Sequence, residues 1–164
     1  MEFSDYVERN PLLRASLYSQ IQIEILLKIG AEIEQLLEQS FSSEGVAHGD
    51  YNRAYGLFWL WVLGVFEVLR TLTVDPYKSR LSESLRLKLD TFKGKVVRLR
   101  APMAKHKYAG SRQAIDSELS ISGVSLPDRD FCFSIGSEVY WARKLIAEFR
   151  EVILSVKPED VRRE

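Results

Sequence analysis

The sequence holds a single cysteine, Cys132, and only two histidines, His48 and His106. One cysteine excludes an intramolecular disulfide and suits a reducing compartment. Two histidines are too few for a histidine-rich metal site, and neither has a second His, Cys or carboxylate at ligand spacing, so no metal or cofactor is expected. Net charge is lacking as well, because 23 Lys+Arg balance 23 Asp+Glu, and a near-neutral chain argues against a dedicated nucleic-acid binder. There is no glycine-rich phosphate loop and no nucleophile elbow, and Cys132 in an alternating apolar stretch reads as packing rather than as a thiolate. The N-terminus, with Glu2, Asp5, Glu8 and Arg9, lacks the basic start and apolar stretch of a secretory signal. The longest uncharged apolar run is Ala54 to Phe66, closed by Arg53 and Glu67. It falls short of the roughly 18 residues that suggest a membrane span, so a core helix of a soluble, cytoplasmic protein is expected.

What is present is enough apolar material for one domain. With 46% hydrophobic residues over 164 positions, a single core can bury roughly 68–70% of the surface the unfolded chain exposes. Helical periodicity dominates. Asn10-Pro11 offers a cap followed by proline, and behind it Leu13, Leu17, Ile21, Ile25, Ile29, Ile33, Leu36 and Leu37 predict a helix over about 11–39. Asp50 is the expected cap of a second helix, about 50–73, apolar nearly all round and therefore expected among other helices. Its Gly56 and Gly64 read as points of close helix packing, and Glu67 and Arg70 as an ion pair three residues apart.

Asp75-Pro76 predicts the start of a third helix, about 76–100. Leu81, Leu85, Leu89, Phe92, Val96 and Leu99 form its bundle seam, and Pro102 is expected to close it. Between about 117 and 135, Leu119 and Ile121, then Phe131, Phe133 and Ile135, alternate with polar residues and Cys132 around Gly123 and Pro127-Asp128. That pattern predicts a hairpin or extended arm. Ser137 is the expected cap of a last helix, about 138–155, with Trp141, Leu145, Phe149, Val152 and Val156 inward and a loose tail from Pro158. The sum is an all-α fold: one up-and-down four-helix bundle spanning 1–164, with a small β-hairpin inserted before the last helix.

The charges are not evenly spread. Positions 78–112 hold eleven basic residues against Glu83 and Asp90, and the remainder is acidic in equal measure. A basic third helix and the loop after it form the candidate surface, with Arg98, Arg100, Lys105, Lys107 and Arg112 as phosphate- or partner-binding residues. The competing expectation is that these bases pair with the acidic first helix. Aromatic interleaving is thin, which disfavours a single-strand stacking platform. The abundance of Trp59, Trp61, Trp141, Tyr51, Tyr55 and Tyr140 suits a protein that docks on a partner or forms a homodimer.

One short constellation carries possible chemistry. Arg100-Ala101-Pro102-Met103-Ala104-Lys105-His106 places a histidine six positions after an arginine, at the end of a bundle helix. Here the chain resembles the HEPN superfamily of small helical bundles, whose RNase members carry an arginine, then a polar residue, and a histidine four to six positions after the arginine; this sequence departs from that pattern in having Ala101 at the polar position. The resemblance implies metal-independent RNA cleavage across a two-fold dimer interface. On it, His106 would handle the proton of the attacking 2′-hydroxyl and Arg100 would stabilise charge on the phosphate. Three readings are compatible with these residues: a non-enzymatic interaction module using the basic third helix, a HEPN-like RNase acting through Arg100 and His106, and a regulator binding a nucleotide or other anion near Lys105, Lys107 and Arg112.

Overall fold

A computed structural model describes residues 3–42, 45–105 and 123–162. The fold is mostly helical, with two small antiparallel sheets. A short helix α1 (Phe3–Arg9) precedes α2 (Leu17–Ser40), α3 (His48–Leu72), α4 (Glu83–Lys105) and α5 (Ala142–Leu154). Strands β1 (Phe41–Ser42) and β2 (Gly45–Val46) form a two-stranded ribbon between α2 and α3. Strands β3 (Gly123–Ser125), β4 (Asp130–Ile135) and β5 (Glu138–Trp141) form an antiparallel meander before α5.

The first long helix starts later than the proline signal predicts. Pro11 opens a 3-10 turn (Pro11–Arg14), while the Asn10 amide donates to the Tyr6 carbonyl at 2.9 Å rather than capping. Ser16 is the cap of α2 instead, its Oγ accepting the Ser19 N–H at 3.2 Å. The expected inward stripe is also only half right. Ile33, Leu36 and Leu37 are buried, but Leu17, Ile21 and Ile25 face solvent, and Ile23 and Leu26 take their place. Each four-residue step turns a helix by about 400°, so a row at that spacing drifts by about 40° per step, and Leu17 and Ile33 end on different faces.

Helices α2 and α3 run antiparallel in close contact. Trp61 Nε1 donates to the Leu26 carbonyl at 3.0 Å, and a Cβ on Gly64 would lie 2.8 Å from Leu26 Cδ2. Gly64 therefore does ease close packing, whereas a Cβ on Gly56 would meet open space. Helix α3 begins at His48 with Ala47 at the cap position, placing Asp50 in the first turn. It is not surrounded as expected, since Trp59 and Leu60 are exposed. By length and composition it is the one described helix that could cross a membrane. Glu67 and Arg70 do pair, at 2.7 Å, on the surface.

After α3 the chain bends through a cis Asp75-Pro76 bond and a 3-10 turn at Lys78–Arg80, so the third long helix starts at Glu83 rather than 76. The cap is Ser82, whose Oγ accepts the Leu85 N–H at 3.2 Å. The predicted seam is buried in full, from Leu81 to Leu99. Pro102 does not end the helix, which continues to Lys105. Proline gives up its own N–H bond and crowds the carbonyl four residues back, but the turn around it is held by buried Ala101 and Met103 and by Trp59 Nε1 donating to the Met103 carbonyl at 3.2 Å.

The predicted hairpin exists but is displaced. Leu119 and Ile121 lie outside the described residues, and β3 pairs with β4 from Gly123↔Cys132 to Ser125↔Asp130. Glu138 to Trp141 are strand rather than helix: Gly136, at φ 63°, turns the chain so that β5 pairs back on β4, Phe133 opposite Tyr140. Ser137 thus sits in a turn, and the first free N–H groups of α5 are met from β4. There the Asp130 carboxylate accepts the Arg143 N–H at 3.1 Å and the Phe131 N–H at 2.8 Å. Of the inward stripe, Leu145, Phe149 and Val156 are buried, joined by Ala142, Ile146 and Ile153. The expected loose tail is tied down: Val161 is buried and bridges Leu81, and Arg162 N–H donates to the Arg80 carbonyl at 2.8 Å. The sheet closes the core through aromatics, Phe58 stacking on Phe133 at 5.6 Å and meeting Phe131 edge-on at 5.3 Å.

Candidate functional site

Helix α4 presents its seam to the core and its bases to three different neighbours. Lys93 bridges Asp90 one turn back and Thr73 Oγ1 at the C-terminal end of α3, both at 2.7 Å. Lys95 reaches Glu148 on α5 at 2.8 Å, and Lys88 donates to Ser155 Oγ at 3.3 Å. Arg98 is bound to Glu138 on β5, which also accepts from the Tyr140 hydroxyl. Those two donors hold the Glu138 carboxyl below its ordinary range, while burial, then the hydrogen bond to Glu138, pushes the Tyr140 phenol up.

Arg100 points elsewhere. Its guanidinium lies 4.2 Å from the centre of the Phe66 ring and 3.8 Å from Glu67 Oε1, both on α3, and its Nε is buried with no hydrogen-bond partner among the described residues. Arg98 and Arg100, two residues apart on a helix, thus sit on different sides of α4, and the predicted binding set is divided. Lys105 is the last described residue of α4; His106, Lys107 and Arg112 lie outside the described residues. Among the described residues, no base of α4 forms an ion pair with α2, the acidic first long helix. Its carboxylates are taken by other elements: Glu32 by Arg53, Glu34 by Arg150, and Glu38 by Arg129 and Arg143.

Between α4 and the corner where β5 enters α5 runs a cleft of about 480 Å³, lined by Thr91, Gly94, Lys95, Arg98, Glu138, Val139, Tyr140, Trp141, Lys144, Leu145 and Glu148. A second hollow of about 440 Å³, with Leu87, Lys88, Phe92, Glu151, Val152 and Ser155, shares Thr91, Lys95 and Glu148 with the first. Together they form one groove along α4. Lys144 lines it with no ion pair among the described residues. Sequence reading missed the α5 wall because its three basic and two acidic residues leave little net charge; the Lys144–Glu148 spacing of four was the available signal.

Asp130 was missed too. It is 3% exposed, and burial raises its carboxyl from 3.8 to about 6 despite the N–H groups of Phe131 and Arg143. Neighbouring Cys132 is buried, which pushes its thiol up and leaves it a packing residue. No group of three metal-binding side chains occurs among the described residues. Compared with family models, curated proteins and solved structures, this chain matches none.

Proposed function

We propose that this protein is a non-enzymatic interaction module: an up-and-down bundle of α2 to α5 that docks an acidic, amphipathic helical segment of a partner protein in the groove along α4. The observation that carries this reading is the groove itself, with four cations (Lys88, Lys95, Arg98 and Lys144) standing over an apolar floor of Val139, Trp141 and Leu145. From Leu87 to Arg98 it follows α4 for about 17 Å, the length of a three-turn helix. Lys144 has no ion pair among the described residues, and the Lys95–Glu148 and Arg98–Glu138 pairs are half-exposed. Pairs of that kind contribute about 0–1 kcal/mol, so an incoming carboxylate exchanges with Glu148 or Glu138 at little loss.

The test is fluorescence anisotropy with a labelled synthetic peptide bearing Leu and Glu at helical spacing, beside a counterpart bearing Lys. The acidic peptide binds, more weakly as salt rises, and Lys144→Glu lowers its affinity by roughly tenfold, about 1.4 kcal/mol. Equal binding of both peptides, or of neither, sinks the reading.

A second reading, the HEPN-like RNase, is favoured by one observation. Helix α4 continues through Pro102 to Lys105, so the backbone of the arginine motif is helical up to the residue before His106. Structured RNA incubated in EDTA with wild type, Arg100→Ala and His106→Ala decides it. Identical cleavage traces retire the enzyme.

A further inference from the structure

The first turns of α2 expose Leu17, Tyr18, Ile21 and Ile25 at 56, 79, 44 and 51%, and α3 exposes Leu60 at 53% beside them. The placement follows from the Arg53–Glu32 ion pair, 2.5 Å across the same two helices. Leu60 is seven residues after Arg53, and Ile25 seven before Glu32, so both return to that face two turns along. Gly56, between them on α3, borders open space. The solvent-facing positions of α2 from Leu17 to Ile25 include Gln22 and no charge. This face is separate from the groove along α4, and its occupancy is independent of that groove.

We infer that this face binds a second copy of the chain, the two α2 helices crossing about a two-fold axis near Ile21. Three features point to a copy rather than another occupant. Leu17, Ile21 and Ile25 form a single ridge at four-residue spacing, and two such ridges interlock when identical helices cross at about −50°. A two-fold axis brings the same ridge to both sides, with Ile21, its middle member, facing itself.

The rim carries Lys28, the Arg53–Glu32 pair and Glu24, itself held by Tyr6 and Gln20, a mixed-sign border that suits a like border on a second copy. An anionic lipid surface calls for a basic rim instead. Five large apolar side chains exposed on one face form the kind of contiguous patch that marks an interaction surface.

Sedimentation velocity of the full chain over a wide concentration range tests the inference. Wild type sediments as a dimer; Ile21→Glu and Ile21→Lys each sediment as monomers with unchanged far-ultraviolet dichroism, and the two mixed together re-form a dimer because opposite charges meet at the axis. Leu154→Glu, at a more exposed leucine on α5, stays dimeric. Monomeric wild type at every concentration, a dimeric Ile21→Glu chain, or failure of the mixture to pair would overturn it. So would flotation of monomeric wild type with neutral phosphatidylcholine vesicles that Ile21→Glu abolishes.

Discussion

The α2–α3 side of the molecule and the α4–α5 side join helices by different means. On the first, a glycine lets Leu26 against the α3 backbone, and buried Trp61 donates to the Leu26 carbonyl. On the second, Phe92 of α4 meets Phe149 of α5 at 6.0 Å, and beside that contact the helices border an open cleft spanned by Lys95–Glu148. Side chains that need water at their tips cannot interdigitate as aliphatic ones do, so long charged residues facing each other hold helices apart and leave a groove. The tight side thus carries stability, and the open side leaves a cleft between its helices.

If that division is right, the largest loss comes from the tight side. Trp61→Ala should destabilise the fold by about 3–5 kcal/mol, read as the urea midpoint, because it removes a fully buried indole and its hydrogen bond to the Leu26 carbonyl. Asp130 should come next, and its effect depends on pH. Its folded pKa of about 6 lies above the ordinary 3.8, so the folded state holds the proton more tightly. Its contribution is complete below about pH 4 and is lost as pH rises through about 6, for a total of about 2–3 kcal/mol. Asp130→Asn should therefore flatten the fall in stability between those two pH values relative to wild type. Parallel melting-temperature curves for the two proteins would break the assignment.

How much of this was legible in the sequence depends on which physics each element obeys. The α4 seam could be read because its steps of three and four follow one helix face, and every member is buried. The start of α4 could not, because the Asp75-Pro76 signal is local while the true cap, Ser82, is fixed by Asp160 from the far end of the chain. Residues 138–141 were read as helix because Trp141 continues the apolar stripe of α5; pairing with β4, a long-range hydrogen-bonding choice, overrides that periodicity. The basic rib was visible as composition, but its division between β5, α5 and α3 needs three-dimensional placement. Only Arg98 and Arg100 of the expected site residues have described side chains, and they turn away from each other.

Two glycines on α3, eight residues apart, sharpen the comparison within one helix. Gly64→Ala pushes a methyl to 2.8 Å from Leu26 and should destabilise by about 1–3 kcal/mol. Gly56→Ala meets nothing and should stabilise by about 0.5–1 kcal/mol through helix propensity. Thermal melts showing the same sign for both would mean the α2–α3 contact is looser than described.

The smallest effect belongs to the open side. Lys95→Ala and Glu148→Ala break a 2.8 Å pair whose side chains are 43% and 27% exposed. Each change should move stability by no more than about 1 kcal/mol, and a double-mutant cycle should give a coupling of about 0.2–1 kcal/mol that shrinks as salt is added. A coupling of several kcal/mol, insensitive to salt, would mean the pair is a strut rather than a replaceable bridge. The α4–α5 groove would then be part of the scaffold and closed to a competing carboxylate.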